Sequence, residues 1–89
     1  MPRVTFTGNL HRFVDAPPAE VPGRTVREAL EAAFAQNPRV RGYVLDDQGG
    51  LRRHVIVFVG GEPVADRVGL SDAAPAGAEI AVLQALSGG

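Results

Sequence analysis

Gly23-Arg24-Thr25-Val26-Arg27-Glu28-Ala29-Leu30-Glu31-Ala32-Ala33-Phe34-Ala35-Gln36 carries the pattern of a helix with one buried face. Apolar side chains at Val26, Ala29, Leu30, Ala33 and Phe34 recur at the i, i+3, i+4, i+7, i+8 spacing that lines one side of an α-helix. Thr25 followed by Glu28 forms a capping box: the hydroxyl accepts from the backbone N–H three residues on, while the carboxylate reaches back. Asn37-Pro38 ends the pattern, because Asn tolerates the left-handed cap position and Pro cannot extend the hydrogen-bond ladder. The spacing predicts a helix over residues 26–36.

Strand patterns flank this helix on both sides. Arg3-Val4-Thr5-Phe6-Thr7 alternates polar and apolar residues, as a half-buried strand does, and Gly8-Asn9 breaks it. Residues 9–17 show no clear period. Ala19-Glu20-Val21 reads as a short second strand ahead of Pro22-Gly23. After the helix, residues 38–53 read as a long connection with a minor strand at Tyr43-Val44-Leu45 and a turn at Asp46-Asp47-Gln48-Gly49-Gly50. His54-Val55-Ile56-Val57-Phe58-Val59 is β-branched and aromatic, the strongest strand signal in the chain. Gly60-Gly61 supplies the positive φ values of a tight hairpin, and Pro63 confines Glu62-Pro63-Val64 to an edge or to a very short strand. Glu79-Ile80-Ala81-Val82-Leu83 is the last strand.

The order β-β-α-β-β, with one helix to cover one sheet, predicts an α+β fold: a mixed sheet of four to five strands packed on one main helix. At 89 residues, 45% of them hydrophobic, there is one core and one domain, residues 1–89, with a flexible tail at 84–89. The absence of cysteine excludes disulfides, thiolate metal sites and a cysteine nucleophile within the chain. A net charge of −1 argues against general nucleic-acid binding. Residues 1–53 carry +2 and residues 54–89 carry −3, and every basic residue is Arg. With no Lys there is no side-chain amine for Schiff-base chemistry or for acylation by another protein. No apolar run is long enough to cross a bilayer and no signal peptide precedes the first strand, so a cytoplasmic protein with no membrane partner is expected.

Three stretches carry a resemblance. Gly23-Arg24-Thr25-Val26-Arg27-Glu28-Ala29-Leu30 resembles a "G-x-T-V-x-E-x-L" helix start. Residues 55–64 resemble a central "V-x-V-N-G-x-x-V", with Gly60 where that pattern has Asn. Ala76-Gly77-Ala78-Glu79-Ile80 resembles an "x-G-D-E-V" entry to the last strand. In this order, ahead of a terminal Gly88-Gly89, the chain is similar to the MoaD/ThiS-family sulfur carrier proteins, ubiquitin-like β-grasp domains. The resemblance leaves out residues 8–17 and 38–53. It implies that the chain is not an enzyme and binds no cofactor. It also implies two partners: a ubiquitin-activating-enzyme-like adenylyltransferase and sulfurtransferase that uses ATP, and a sulfur-accepting biosynthetic enzyme. Gly89 is then the residue adenylated and converted to a thiocarboxylate, with no maturation cut expected. Gly88 gives clearance in a narrow channel, since a residue without Cβ lets an enclosing backbone approach closely. The same fold also serves protein modifiers, which would join Gly89 to a target lysine, and inert binding subunits. Among sulfur carriers, Leu51-Arg52-Arg53-His54-Val55 looks more like the longer members associated with cysteine biosynthesis. Molybdopterin-type subunits stay close and thiamin-type carriers are a poorer match.

Alternation also predicts a partner face. With Val55, Val57 and Val59 under the helix, and Ile80 and Val82 beside them, His54, Ile56 and Phe58 of one strand and Ala81 and Leu83 of the other face outward, and Ile56, Phe58 and Leu83 are the large apolar ones among them. Together with Leu86 in the tail they form a candidate docking patch. His11 and His54 lie far apart with no Cys nearby, so no metal site is expected. Asp46-Asp47 reads as a solvated turn, and Arg39, Arg41, Arg52 and Arg53 as a solvated basic loop. Ser87 has no base at fixed spacing to activate it, and no catalytic constellation is found.

Overall fold

The computed structural model describes residues 1–8 and 17–84. Its elements are β1 (Arg3–Gly8), β2 (Ala19–Glu20), α1 (Val26–Gln36), α2 (Pro38–Val44), β3 (Val55–Val59), β4 (Glu62–Pro63) and β5 (Glu79–Gln84). One five-stranded sheet has the order β2-β1-β5-β3-β4. β1 and β5 lie side by side in parallel, with Val4 opposite Ile80 and Phe6 opposite Val82, and β3 pairs antiparallel on the other side of β5. The edges are the two-residue strands β2 and β4. β4 holds Pro63, whose missing N–H an edge position tolerates. The β3–β4 hairpin turns on Gly60 and Gly61 at φ 58 and 87, two successive positive values that match the right-handed twist of the strands.

The alternation predicted from sequence sets the core. Val4, Phe6, Val55, Val57, Ile80 and Val82 are buried on one face of the sheet, and Val26, Ala29, Leu30, Ala33 and Phe34 of α1 are buried in the same cluster.

α1 has the predicted bounds, and its first turn leaves no donor free. An α-helix begins with four N–H groups that have no partner within it. Here Val26 N donates to Asp72 O at 2.9 Å, Arg27 N to Leu70 O at 2.9 Å, and Ala29 N to Thr25 O at 3.0 Å. Glu28 N donates to Thr25 Oγ1 at 3.2 Å, and Glu28 Oε1 accepts in return from Arg24 N at 2.8 Å, one residue ahead of the cap. Gly23 passes so close beneath this turn that a Cβ would lie 2.7 Å from Ala29 N, and its φ is +145. Only glycine fits there.

The connection after α1 differs from the sequence reading. Residues 38–44 form the short helix α2 rather than a loop, and the strand expected at 43–45 is absent: Tyr43 and Val44 end the helix, and Leu45 makes a lone antiparallel bridge to Leu51. Pro38 stops α1 and also occupies the first turn of α2, where its missing N–H costs nothing. Val40 and Val44, four apart, are buried in the core. Asn37 joins the two helices at φ −144, ψ 77, not in the left-handed region. A residue before proline is pushed toward extended conformations, and Asn37 N closes α1 by donating to Ala33 O and Phe34 O at 3.1 Å each. Five strand bounds also move by one residue. Gly8 remains in β1, β2 ends at Glu20, β3 begins at Val55 and leaves His54 outside it, β4 ends at Pro63, and β5 runs through Gln84, one residue into the segment assigned to the tail.

Candidate functional site

β5 is the central strand, and the chain continues from it into Ala85-Leu86-Ser87-Gly88-Gly89. Leu86, Gly88 and Gly89, three of the predicted site residues, lie outside the described residues. The structure brings the other three together on the face of the sheet away from the core. Ile56 and Leu83 stand directly opposite each other across β3 and β5, and Phe58 stands opposite Ala81. Ile56 is 36% exposed; Phe58 and Leu83 are half-buried. Directly opposed side chains in neighbouring strands touch, so Ile56 and Leu83 form one apolar pair two residues from the end of the sheet.

At that end β5 has strands on both sides. Gln84 is paired with Gly8 of β1 and with Val55 of β3. It shares the parity of the buried Ile80 and Val82, so its side chain leaves the outer face. There the Gln84 amide nitrogen meets His54 Nε2 at 3.0 Å. His54, which strand alternation places on the outer face, thus meets a side chain of the core-side parity, because it lies in the turn ahead of β3 and not in the strand. Gln84 Oε1 is buried and has no partner among the described residues. Sequence reasoning missed this contact, because Gln84 was assigned to the tail and His54 to a strand. The signal available was a lone polar residue continuing the Ile80–Val82 parity.

The arginines expected on one solvated basic loop divide by place and by partner, Arg39 and Arg41 lying in α2 and Arg52 and Arg53 ahead of β3. Arg41 donates to Glu31 of α1 from Nε at 3.3 Å and from Nη2 at 3.2 Å. Arg52 Nε donates to Gly42 O at 2.7 Å and fastens the end of α2. Arg39 and Arg53 are exposed, with no hydrogen bond among the described residues, and Arg53 lines a recess with Asp46, Leu51, Arg52 and His54. The hydrogen bond from Arg41 lowers the Glu31 pKa from its ordinary value; desolvation opposes it, and the charge of Arg41 and the weaker contact with Arg27 add to the lowering.

Four other charged side chains, those of Arg27, Asp46, Asp66 and Asp72, bond to loop backbone. Arg27, on the flank of α1, spans three loop carbonyls: Nη2 donates to Gly49 O at 2.6 Å and Val68 O at 2.9 Å, and Nε to Gly69 O at 3.4 Å. Asp66 accepts from Ser71 Oγ at 2.6 Å and from the backbone N–H groups of Gly69, Ser71 and Val68, which lowers its pKa to about 2. Asp72 accepts from Ala65 N and Asp66 N at 2.9 Å each and is likewise lowered. Asp46 Oδ1 accepts from Gln48 N and Gly50 N within its own turn. Among the described residues, no three His, Asp or Glu side chains converge as a metal site would require, and no helix is long and apolar enough to cross a membrane.

A mixed sheet with parallel β1 and β5 at its centre and one main helix across one face defines a ubiquitin-like β-grasp protein. SAMP1 from Haloferax volcanii matches with a TM-score of 0.77 and 30% identity, over 99% of this chain and 98% of that one. The BexX/CysO complex of Amycolatopsis orientalis provides a match at TM-score 0.79 and 20% identity, over 100% of both chains. CysO of Mycobacterium tuberculosis matches at 0.79 and 21%, over 97% of this chain and 100% of that one. The last two show the shared fold; the first extends the likeness to sequence along the whole chain. The chain belongs to the MoaD/ThiS-type family of ubiquitin-like β-grasp carriers and modifiers. No protein-family model and no curated protein matches it.

Proposed function

We propose that the chain is a cytoplasmic, non-enzymatic sulfur carrier whose reactive group is the carboxylate of Gly89. The observation that carries this reading is the 30% identity to SAMP1 across 99% of a chain that closes on Gly88-Gly89. An activating enzyme related to those of ubiquitin binds ATP; a Gly89 carboxylate oxygen attacks the α-phosphorus and pyrophosphate leaves. A sulfur nucleophile then attacks the acyl carbon of the adenylate and AMP leaves. With hydrosulfide this gives the thiocarboxylate directly. With an enzyme persulfide it gives an acyl disulfide, which a thiol opens to the thiocarboxylate and a mixed disulfide. The chain binds no cofactor of its own, and Ile56, Phe58, Leu83 and Leu86 form the face on which the activating and accepting enzymes dock. Among acceptors we favour an enzyme of cysteine biosynthesis, on the Leu51-Arg52-Arg53-His54-Val55 approach to β3 and the fold shared with CysO.

The test is the intact mass of the purified chain after incubation with ATP, a sulfur donor and the activating enzyme of its own host. Replacement of one oxygen by sulfur, lost on deletion of Gly89, is the expected result. An unchanged mass in the presence of an enzyme shown to be active on another carrier overturns the proposal.

A second reading, conjugation to proteins, is favoured by one observation: the 30%-identical neighbour is a small archaeal modifier protein. Gly-Gly remnants on lysines of other host proteins would support it. This chain, having no lysine, offers no side-chain acceptor for a second copy.

A further inference from the structure

Two ion pairs occur among the described residues, and both converge on Glu31, from Arg27 at 3.3 Å and from Arg41 at 3.2 Å. Arg52, Arg53 and Arg67 meet no carboxylate there. Backbone holds two of them in place: Arg52 Nε donates to Gly42 O at 2.7 Å, and Arg67 Nη2 donates to Arg52 O at 2.9 Å. Each spends one N–H on a carbonyl, which fixes the side chain and leaves its charge uncancelled. Arg53 is exposed and borders, with Asp46, Leu51, Arg52 and His54, an open recess of about 310 Å³. The acids beside this group serve their own loops. Asp46 Oδ1 accepts from Gln48 N and Gly50 N, and Asp66 accepts from Val68, Gly69 and Ser71.

The group lies at one end of the outer sheet face. Arg53 comes two residues ahead of Val55, which pairs with the last residue of β5, and three ahead of Ile56, which faces Leu83. The other end of that face is charged differently: Arg3 stands between Glu20 and Glu79, its directly opposed neighbours, and all three are exposed. A partner that covers the apolar residues in between meets unpaired positive charge where β5 stops, and a slight excess of negative charge where it starts.

We infer that Arg53, with Arg52 and Arg67, is the cationic rim of the docking face and fits an acidic patch on the activating enzyme. The inference rests on the sulfur-carrier reading, which supplies the apolar face and its first partner. Charge at the rim of an interface acts by speeding encounter and fixing orientation. Opposite charge balance at the two ends of the face allows only one orientation to match. Arg52 and Arg67 are held by separate carbonyls, so the charges are spread along the rim and do not converge on one phosphate. Carboxylates spaced on a protein surface match that spread.

The experiment is ATP–pyrophosphate exchange with the host's activating enzyme, shown to be active on another carrier, using the full chain at about 0.01 M and about 0.15 M salt. The Debye length falls from about 30 Å to about 8 Å between these conditions. Arg53→Gln and Arg53→Glu are compared with Arg24→Glu, which makes the same change of charge as the second at an exposed position ahead of α1. Urea denaturation of each reports that it is folded. At the lower salt the KM for the chain is expected to rise about tenfold in Arg53→Glu and by less in Arg53→Gln, with kcat and the KM for ATP unchanged. The gap narrows at the higher salt, and Arg24→Glu behaves as the wild type.

Equal KM values for Arg53→Glu and the wild type overturn the rim and leave the carrier reading standing. So does an equal rise in Arg24→Glu, which makes the effect one of net charge, or a rise in the KM for ATP, which gives the charge to the nucleotide. Absence of exchange by the wild type overturns the carrier reading, and the rim with it.

Discussion

Where β5 begins, the loop that leads into it is tied to α1 by backbone hydrogen bonds; where β5 stops, it is held by strand pairing, the Ile56–Leu83 pair and the contact of Gln84 with His54. At the first end Val26, Arg27, Glu28 and Ala29 all place their N–H groups on Thr25 or on the loop at residues 70–72, and Ala74 N returns a bond to Arg24 O at 2.8 Å. Asp66 and Asp72 gather six donors from the same loop. At the second end lie an exposed Ile56, half-buried Phe58 and Leu83, an exposed Arg53 and the Gln84–His54 pair. The first end spends its polar groups on itself. The second leaves apolar and cationic side chains turned outward, the composition that the proposed docking face requires. On the proposed function, the difference separates residues that hold the fold from residues that meet a partner.

Substitutions that exchange the two behaviours test this division. The largest effect is expected from Gly23→Ala at the tied end. The new Cβ would stand 2.7 Å from Ala29 N, at a φ of +145 that alanine does not adopt without strain. A loss of about 3 kcal/mol is expected, read as a lower urea midpoint at unchanged slope. Docking to the activating enzyme should be unchanged at temperatures where the variant is folded.

Acid comes next and acts on the same end. Asp66 is lowered from 3.8 to about 2 by Ser71 and the loop N–H groups, and Asp72 is lowered too. A carboxyl whose folded pKa is depressed stabilises the fold above its unfolded pKa, and that contribution is lost as pH falls through the folded value. Unfolding should therefore ease between about pH 4 and pH 2, and Asp66→Asn should flatten that part of the stability–pH curve. A curve of the same steepness in the variant would remove Asp66 from this account.

The smallest effect on stability is expected at the open end. Ile56→Ser removes an exposed side chain that touches Leu83 and leaves the core intact, so stability should change by no more than about 0.5 kcal/mol. The KM of the activating enzyme for the chain should nonetheless rise several-fold. If instead the variant unfolds readily and docks normally, the contrast between the two ends is wrong.

Much of this was legible in the residues. The i, i+3, i+4 apolar spacing from Val26 to Phe34 and the Thr25–Glu28 cap gave α1 its observed bounds, because both are local rules of a helix. Alternation in residues 55–59 and 79–83 separates the inner face from the outer one and puts Ile56, Phe58 and Leu83 on the outer side; it fails at His54, which lies in the turn ahead of β3. α2 was not legible. Pro38 signals the end of one helix and the start of another equally well, and Gly42 with two β-branched valines lowers the helix propensity of the segment. Burial of Val40 and Val44 against the core decides it.

By itself, then, the sequence determined the main helix, the strands other than the one expected at 43–45, the inner and outer faces within those strands and a composition without lysine, since these depend on neighbours a few residues apart. Tertiary structure alone decided which residues act together across long separations. It placed Gln84 beside His54, fastened Arg41 to Glu31 and Arg52 to the Gly42 carbonyl across the surface, and set Arg27 across the carbonyls of Gly49, Val68 and Gly69. Hydrogen-bond partners distant in the chain are chosen by the packing of the sheet against its helices, and no local spacing encodes that choice.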